Sequence, residues 1–418
     1  MKAGNITMAA IIMGTFLLGS NIRAQDWPQW RGPNRDAKAT GFTAPKDWPK
    51  ELAQKWKVKV GEGVSTPALV GDKVYVFTRQ GGNEVILCLD VSNGKEVWQD
   101  KYEAPTPTRP GSGFNNEFVG PRSSPAVAEG KVVTLGASGI LSCLDVASGK
   151  VVWRKTDLKG HPMFFASCSP IIANGLCIVQ IGGEDAGAIA AFDLADGKQK
   201  WKWTADGTAY ASPILATIGD VKMIVAETAA KIVGVNAADG KLLWETPFPK
   251  AGRSYNACTP IAEGQTVIFS GTGRGTRAMK IEKQGDTYKA TELWSNKENA
   301  VQFNTPVVKD GLVYGLTGSN NWFCISAESG KTAWTAAAPA AGGGGRMGGG
   351  YGSVVDAGAV LFGLTPAGKL TVFQPSDKES KVIATYTVAS GDTYAYPVIS
   401  GNRIFIKDKD SLTLWTIE

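Results

Sequence analysis

The chain repeats itself about every 45 residues, and the repeating unit is a small β-sheet. Five segments share one signature: LDVSNGKEVW (Leu89 to Trp98), LDVASGKVVW (Leu144 to Trp153), FDLADGKQKW (Phe192 to Trp201), VNAADGKLLW (Val235 to Trp244) and ISAESGKTAW (Ile325 to Trp334). A second signature, a small polar residue followed by proline and an apolar pair, precedes each repeat at Pro67, Pro125, Pro170, Pro213, Pro260 and Pro306. Residues 123–153 show what one unit is. SSPAV, KVVTLGA, ILSCLDV and KVVWRK are short β-branched or apolar runs, separated by Glu129-Gly130, Ser138-Gly139 and Ala147-Ser148-Gly149. Short alternating runs punctuated by glycine read as strands joined by tight turns. The Asp before each Gly-Lys turn closes it by bonding the turn's own backbone. A four-stranded sheet cannot bury both faces alone, whereas a ring of such sheets can.

Six inner strands begin near Ser65, Ser123, Ser167, Ala211, Cys258 and Asn304, and two degenerate copies follow at Gly352 to Gln374 and Tyr396 to Glu418. The last copy supplies three strands. Residues 54–60, QKWKVKV, carry an outer-strand pattern with its tryptophan and no sheet of their own. The expected fold is therefore all-β: an eight-bladed β-propeller of four-stranded antiparallel blades, closed by an N-terminal strand that completes the last blade. Seven blades is the alternative, if the seventh copy is irregular. The tryptophans Trp56, Trp98, Trp153, Trp201, Trp244, Trp294 and Trp334 are assigned to docking between blades.

These repeats resemble the PQQ-like (pyrroloquinoline-quinone-type) β-propeller repeat family, and the resemblance covers nearly the whole chain after the signal segment 1–24. In architecture the chain is similar to the propeller lipoprotein of the outer-membrane barrel-assembly machinery. DWPQWRGPNR (Asp26 to Arg35) resembles the leader of a large exported subfamily. The resemblance implies a fold more than an activity, because function resides in sites grafted on folds.

Residues 1–24 read as a secretory signal: Lys2 precedes the apolar stretch Met8 to Gly19, which is too short to span a bilayer. No cysteine lies near the cleavage region, so a lipid anchor is not expected. Residues 25–53 are a leader expected to pack on the propeller wall through Trp27 and Trp30, and 54–418 form one domain. The product is expected to be exported, periplasmic or extracellular, without a membrane span, and monomeric. A net charge of +6 is too mild to argue for nucleic acid. Cys88, Cys143 and Cys324 recur at one third-strand position and read as small buried apolar residues; with Cys168, Cys177 and Cys258 they suggest no disulfide framework.

Loops entering the first strand and loops joining the second to the third fall on one end of the ring, and they hold the unusual residues. They include the insertion Pro105 to Pro121 with Arg109, Asn115, Asn116 and Glu117, the segment Lys159 to Phe165 with the only histidine, His161, and the glycine-rich Ala341 to Gly352 with Arg346. Candidate ligand-binding residues at the channel mouth and on this face are Arg122, Tyr210, Arg253, Tyr255, Asn256, Arg274, Arg277, Phe303, Asn304, Tyr351 and Tyr394. A hydroxyl ring lies one residue before each proline position: Thr66, Ser124, Ser169, Ser212, Thr259, Thr305, Ser353 and Tyr396. It either binds a ligand or bonds neighbouring strands across a crowded axis. The arginines would make an anion site or stay solvated loop charges. Glu184-Asp185 is the best acidic pair for calcium, with a solvated turn as the simpler reading.

No catalytic residue and no metal-ligand set is assigned. The chain has no Cys-Cys pair, no CxxCH and only one histidine. The leading expectation is a non-catalytic binding or scaffold propeller for a protein or polysaccharide partner in the periplasm or cell envelope. The alternatives are a quinoprotein alcohol or sugar dehydrogenase, needing pyrroloquinoline quinone and calcium, and a carbohydrate-binding propeller using Tyr210, Tyr255, Phe303, Tyr351 and Tyr394.

Overall fold

The computed structural model describes residues 25–104, 120–252, 254–339 and 350–418. The signal segment 1–24, the insertion residues Arg109, Asn115, Asn116 and Glu117, and Arg253 and Arg346 lie outside the described residues.

The described residues form eight four-stranded antiparallel sheets and no helix. The first blade shows the pattern, from the inner strand Ala68–Val70 through Lys73–Gln80 and Asn83–Asp90 to the outer strand Glu96–Glu103. The seventh copy is a regular blade, which settles the count at eight. Strands Val398–Ser400, Arg403–Lys407 and Ser411–Thr416 make the last blade, and Ala53–Lys59 pairs with Ser411–Thr416 as its outer strand. The ring is thus closed by one strand from each end of the described chain.

Every outer strand carries a bulge beside its tryptophan position. In the first blade Cys88 faces Trp98 and Leu89 faces Glu96, so Val97 opposes nothing. Val152 is skipped in the second blade in the same way. A bulge there twists the exposed edge and makes it a poor template for pairing with another chain.

The tryptophans explain how blades hold together. Trp56, Trp98, Trp153 and Trp294 each pack on the turn glycine of the next blade: Gly94, Gly149, Gly197 and Gly330. Their indole N–H groups donate to the carbonyls of Val91, Val146, Leu194 and Ala327, each on the residue that opens that turn. A Cβ at Gly149 would stand 2.5 Å from the Trp98 ring, and φ there is +70°, so glycine is required twice over. Trp201 packs on Gly240 without such a bond, its indole N–H having no partner among the described residues. Trp244 departs further. The fifth blade replaces the Gly-Lys turn by the long hairpin Gly275–Gln284 and Thr287–Asn296, and Trp244 instead meets the Met223 sulfur at 3.2 Å. Trp334 donates to Ser376 O. All six cysteines are buried free thiols.

Candidate functional site

The channel is organised in three layers. The hydroxyl ring comes first. The backbone N–H of Thr66 donates to Ser124 Oγ at 3.2 Å, Ser124 N–H to Ser169 Oγ at 3.0 Å, and Ser169 N–H to Ser212 Oγ at 2.9 Å. Across the ring, Thr259 N–H donates to Thr305 Oγ1, Thr305 N–H to the Tyr396 phenol, and Tyr396 N–H back to Thr66 Oγ1. The Tyr396 side chain reaches past the seventh blade to make its link. These hydroxyls are committed to neighbouring blades, which favours the structural reading over a ligand ring.

The second layer is the leader, and it departs from the wall packing expected of it. Trp27 exchanges backbone hydrogen bonds with Leu69 on the first inner strand, and Pro28 O accepts from Val127 N–H on the second. Trp30 enters the channel, donates to Thr259 Oγ1 at 2.9 Å and meets Tyr396 edge-on at 4.9 Å. Arg31 donates to Thr305 O, Pro306 O, the Tyr396 hydroxyl and the leader carbonyls of Arg35 and Asp36. Arg35 donates to Ser169 O, Pro170 O and Pro213 O on the opposite side, and to Gln29 Oε1. The physical reason is the inner edge of the ring. The third, fourth and sixth blades turn five carbonyls at the start of their inner strands toward the axis, and the two guanidinium forks supply donors to them. Burial lowers the Arg35 pKa to about 9. The leader returns at Lys38, bridged to Asp356, and Phe42 and Trp48 then pack on Phe362. Its contacts with Leu69, Gly71, Asp356 and Ser400 lie at the finishing ends of inner strands, so it fills the channel from the end opposite the long loops.

The third layer is the mouth on the loop end. Phe164, Tyr210, Tyr255, Phe303, Tyr351 and Tyr394 form an unbroken crescent, with successive ring centroids 4.4 to 6.2 Å apart. Each is half-buried. Phe303 and Tyr351 stack at 4.4 Å and 18°. Arg122 sits beside the crescent with its Cζ 5.3 Å over the Phe165 ring; burial pulls its pKa down, and the Tyr351 and Tyr210 phenols oppose that. The Tyr210 hydroxyl donates to Glu184 Oε1 and accepts from Phe164 N–H, and burial pushes its pKa up. Phe164 and Phe165 were not singled out from the sequence, although they flank His161 in one of the long loops.

Arg274 and Asn256 are corrected here: the structure turns them inward. Arg274 stacks 3.9 Å over Phe248 and donates to Phe248 O, Pro249 O and Asn256 Oδ1. The Asn256 carboxamide donates in turn to Thr228 O. Together they clasp two blades. Asn304 is likewise buried, donating to Leu316 O and Gly350 O. Arg277 donates to Arg274 O and lies 3.9 Å from Glu292. The described arginines therefore do not converge on one anion site.

A calcium ion beside a stacked quinone would need carboxylate oxygens left over for it. Glu184 accepts from Tyr210, from Met163 N–H and from Lys250 at 2.5 Å. Glu227 is wholly buried, neither of its carboxylate oxygens has a hydrogen-bond partner among the described residues, and burial holds its carboxyl well above the usual range, against the nearby Arg274. Glu184 is thus already bonded and Glu227 stands alone: among the described residues no three His, Cys, Asp or Glu side chains come together as a metal site, so the lining does not fit calcium, and no step is routed through that cofactor pair.

Fold and mouth define a class: an eight-bladed, tryptophan-docked PQQ-like propeller with a plugged channel and an aromatic loop end. The chain belongs to the family described as outer membrane protein assembly factor BamB, whose family model matches residues 82–336. It is 34% identical over 241 residues to outer membrane protein assembly factor BamB of Xanthomonas campestris pv. campestris, covering 54% of this chain and 57% of that protein. The chain spans 57% and 59% of the length of the first two curated relatives it matches. Two solved structures share the fold. BamB from Moraxella catarrhalis has a TM-score of 0.63 at 14% identity, covering 88% of this chain and 98% of that one. The quinohemoprotein alcohol dehydrogenase of Comamonas testosteroni has a TM-score of 0.67 at 14% identity, covering 94% and 80%.

Proposed function

We propose that this chain is an exported, non-catalytic scaffold propeller of the periplasm or cell envelope, and that its loop end docks a protein of the outer-membrane assembly apparatus. The relatives named as outer membrane protein assembly factors support the class of partner. The observation that carries the reading is the crescent from Phe164 to Tyr394. It is a half-exposed aromatic surface at the mouth of a rigid ring in which most of the axial hydroxyls are already bonded to neighbouring blades or to the leader. Aromatic rings supply large contact area at small conformational cost and are enriched at binding hot spots.

The test is site-specific photo-crosslinking in envelope preparations. A crosslinker at Tyr394 is expected to capture a component of the barrel-assembly machinery, and one at Asp220, in an inner-strand turn at the opposite end, is not. Capture of that machinery from Asp220 alone, or of no envelope protein from either position, defeats the reading.

A further inference from the structure

Between the fifth and sixth blades the loop end opens into a groove of about 540 Å³. Its wall carries the carboxamides of Asn299, Gln302 and Asn321 and the hydroxyls of Thr317, Ser319 and Thr335. Lys297 and Glu298 stand at its rim with opposite charges. Most of the polar lining is pre-set by internal bonds. Asn299 donates to Thr332 Oγ1, the Thr317 and Ser319 hydroxyls meet at 3.0 Å, and Asn321 donates to Ser319 Oγ. The exception is Gln302, whose carboxamide makes no hydrogen bond among the described residues. Glycines flank it on both sides: a Cβ at Gly318 would stand 3.3 Å from Gln302 Oε1, and one at Gly350 3.1 Å from Gln302 Cβ. The residue after Gln302 is Phe303, half of the stacked Phe303–Tyr351 pair.

We infer that this groove is a binding site for a neutral polysaccharide. Carboxamides and hydroxyls offer donors and acceptors in pairs, which is what vicinal sugar hydroxyls require. The rim charges oppose each other, so the groove selects no charged ligand. The volume lies in the range of small-ligand sites, roughly 300–1,000 Å³. An extended peptide fits less well, because the groove wall carries no large apolar side chain to form pockets for alternate peptide side chains. The assignment rests on the loop end being a binding surface, but not on the protein partner proposed above.

The test is isothermal titration of the mature chain with cellohexaose, laminarihexaose and maltohexaose, and with a neutral Ser/Asn/Gly decapeptide for comparison. At least one hexasaccharide is expected to bind. Gln302→Ala is expected to weaken that binding about tenfold, the loss of one good hydrogen bond. Thr335→Phe, at an exposed outer-strand position, is expected to block it with unchanged thermal stability. No heat from any hexasaccharide at millimolar concentration overturns the inference. So does binding that neither substitution weakens, or binding of the decapeptide alone. Tyr394 crosslinking to an assembly component in the Thr335→Phe variant separates a failed groove from a failed docking surface.

Discussion

Arg31 and Tyr396 meet inside the channel. The guanidinium NH1 donates to the phenol oxygen at 2.9 Å, while the same phenol accepts from Thr305 N–H and donates to Thr305 O. A residue of the leader and a residue of the last blade thus share one bonding network with the sixth blade between them.

That network predicts that the leader is part of the fold's stability. Arg35→Ala leaves the carbonyls of Ser169, Pro170 and Pro213 without donors, and each buried unmet polar group costs about 1–3 kcal/mol. The expected loss is at least about 3 kcal/mol in urea unfolding, with a similar loss for Arg31→Ala. Deleting residues 25–36 should cost more than either. A deletion variant that melts with the parent would show the channel carbonyls to be satisfied by water instead.

Gly149→Ala tests the docking of blades. The added methyl meets the Trp98 ring at a φ of +70°, combining overpacking with a strained backbone. A loss of roughly 2–4 kcal/mol is expected. Gly130→Ala, at a φ of +71° with open space around it, isolates the backbone share and should cost less.

Lys407 gives the fold an alkaline dependence. Its ammonium donates to the carbonyls of Gly61, Gly63, Asp408 and Lys409, and burial lowers its pKa to about 8, against the nearby Asp408, Asp410 and Glu62. The unfolded chain holds that proton up to the ordinary lysine value of 10.5. Between those limits the unfolded state binds more protons, so this group makes stability rise with pH. Lys407→Met should remove that rise. Unfolding free energies of both proteins at pH 7.5 and 9.5 check it, and equal slopes would contradict it.

Glu84 acts at the acid end. Its carboxyl accepts from the Tyr102 hydroxyl at 2.6 Å and from Ala137 N–H at 2.8 Å, yet burial raises its pKa above the ordinary value in spite of those bonds and of Arg79. Ionising it costs more in the folded than in the unfolded state. Its contribution is therefore fullest below the unfolded value of 4.5 and falls as pH climbs through the raised folded value. Glu84→Gln keeps an acceptor for Ala137 without the charge. It should be more stable than the parent at pH 7.5, with the advantage gone at pH 4.

The ring was legible because its determinants are local and repeated. LDVASGKVVW holds a turn, its closing Asp, its glycine and its docking tryptophan within ten residues. The closing strand could be found because residues 54–60 carry an outer-strand tryptophan and no sheet of their own. The bulges beside Trp98 and Trp153 were not legible, since Val97 and Val152 look like ordinary strand residues. The site was read only in part. Tyr210, Tyr255, Phe303, Tyr351 and Tyr394 could be gathered because repeat alignment assigns a rim position or its neighbouring loop. Arg274 was misplaced because its partners, Phe248 and Asn256, are brought to it only by the packing of one blade on the next. Arg31 and Arg35 carry the plug, and their signal was present: two arginines within a Trp- and Pro-rich leader, attached to a fold whose inner strands begin with carbonyls turned to the axis.

The pairing of Ala53–Lys59 with Ser411–Thr416 has a consequence for biosynthesis. Ribosomes add roughly 5–20 residues per second, so the earlier of these strands waits on the order of tens of seconds for its mate. During that interval no ring exists, and the leader arginines have only part of their carbonyl cage. Each blade made meanwhile presents an unpartnered apolar face to whatever surrounds the nascent chain. The ring thus cannot close until Ser411–Thr416 is present to pair with Ala53–Lys59.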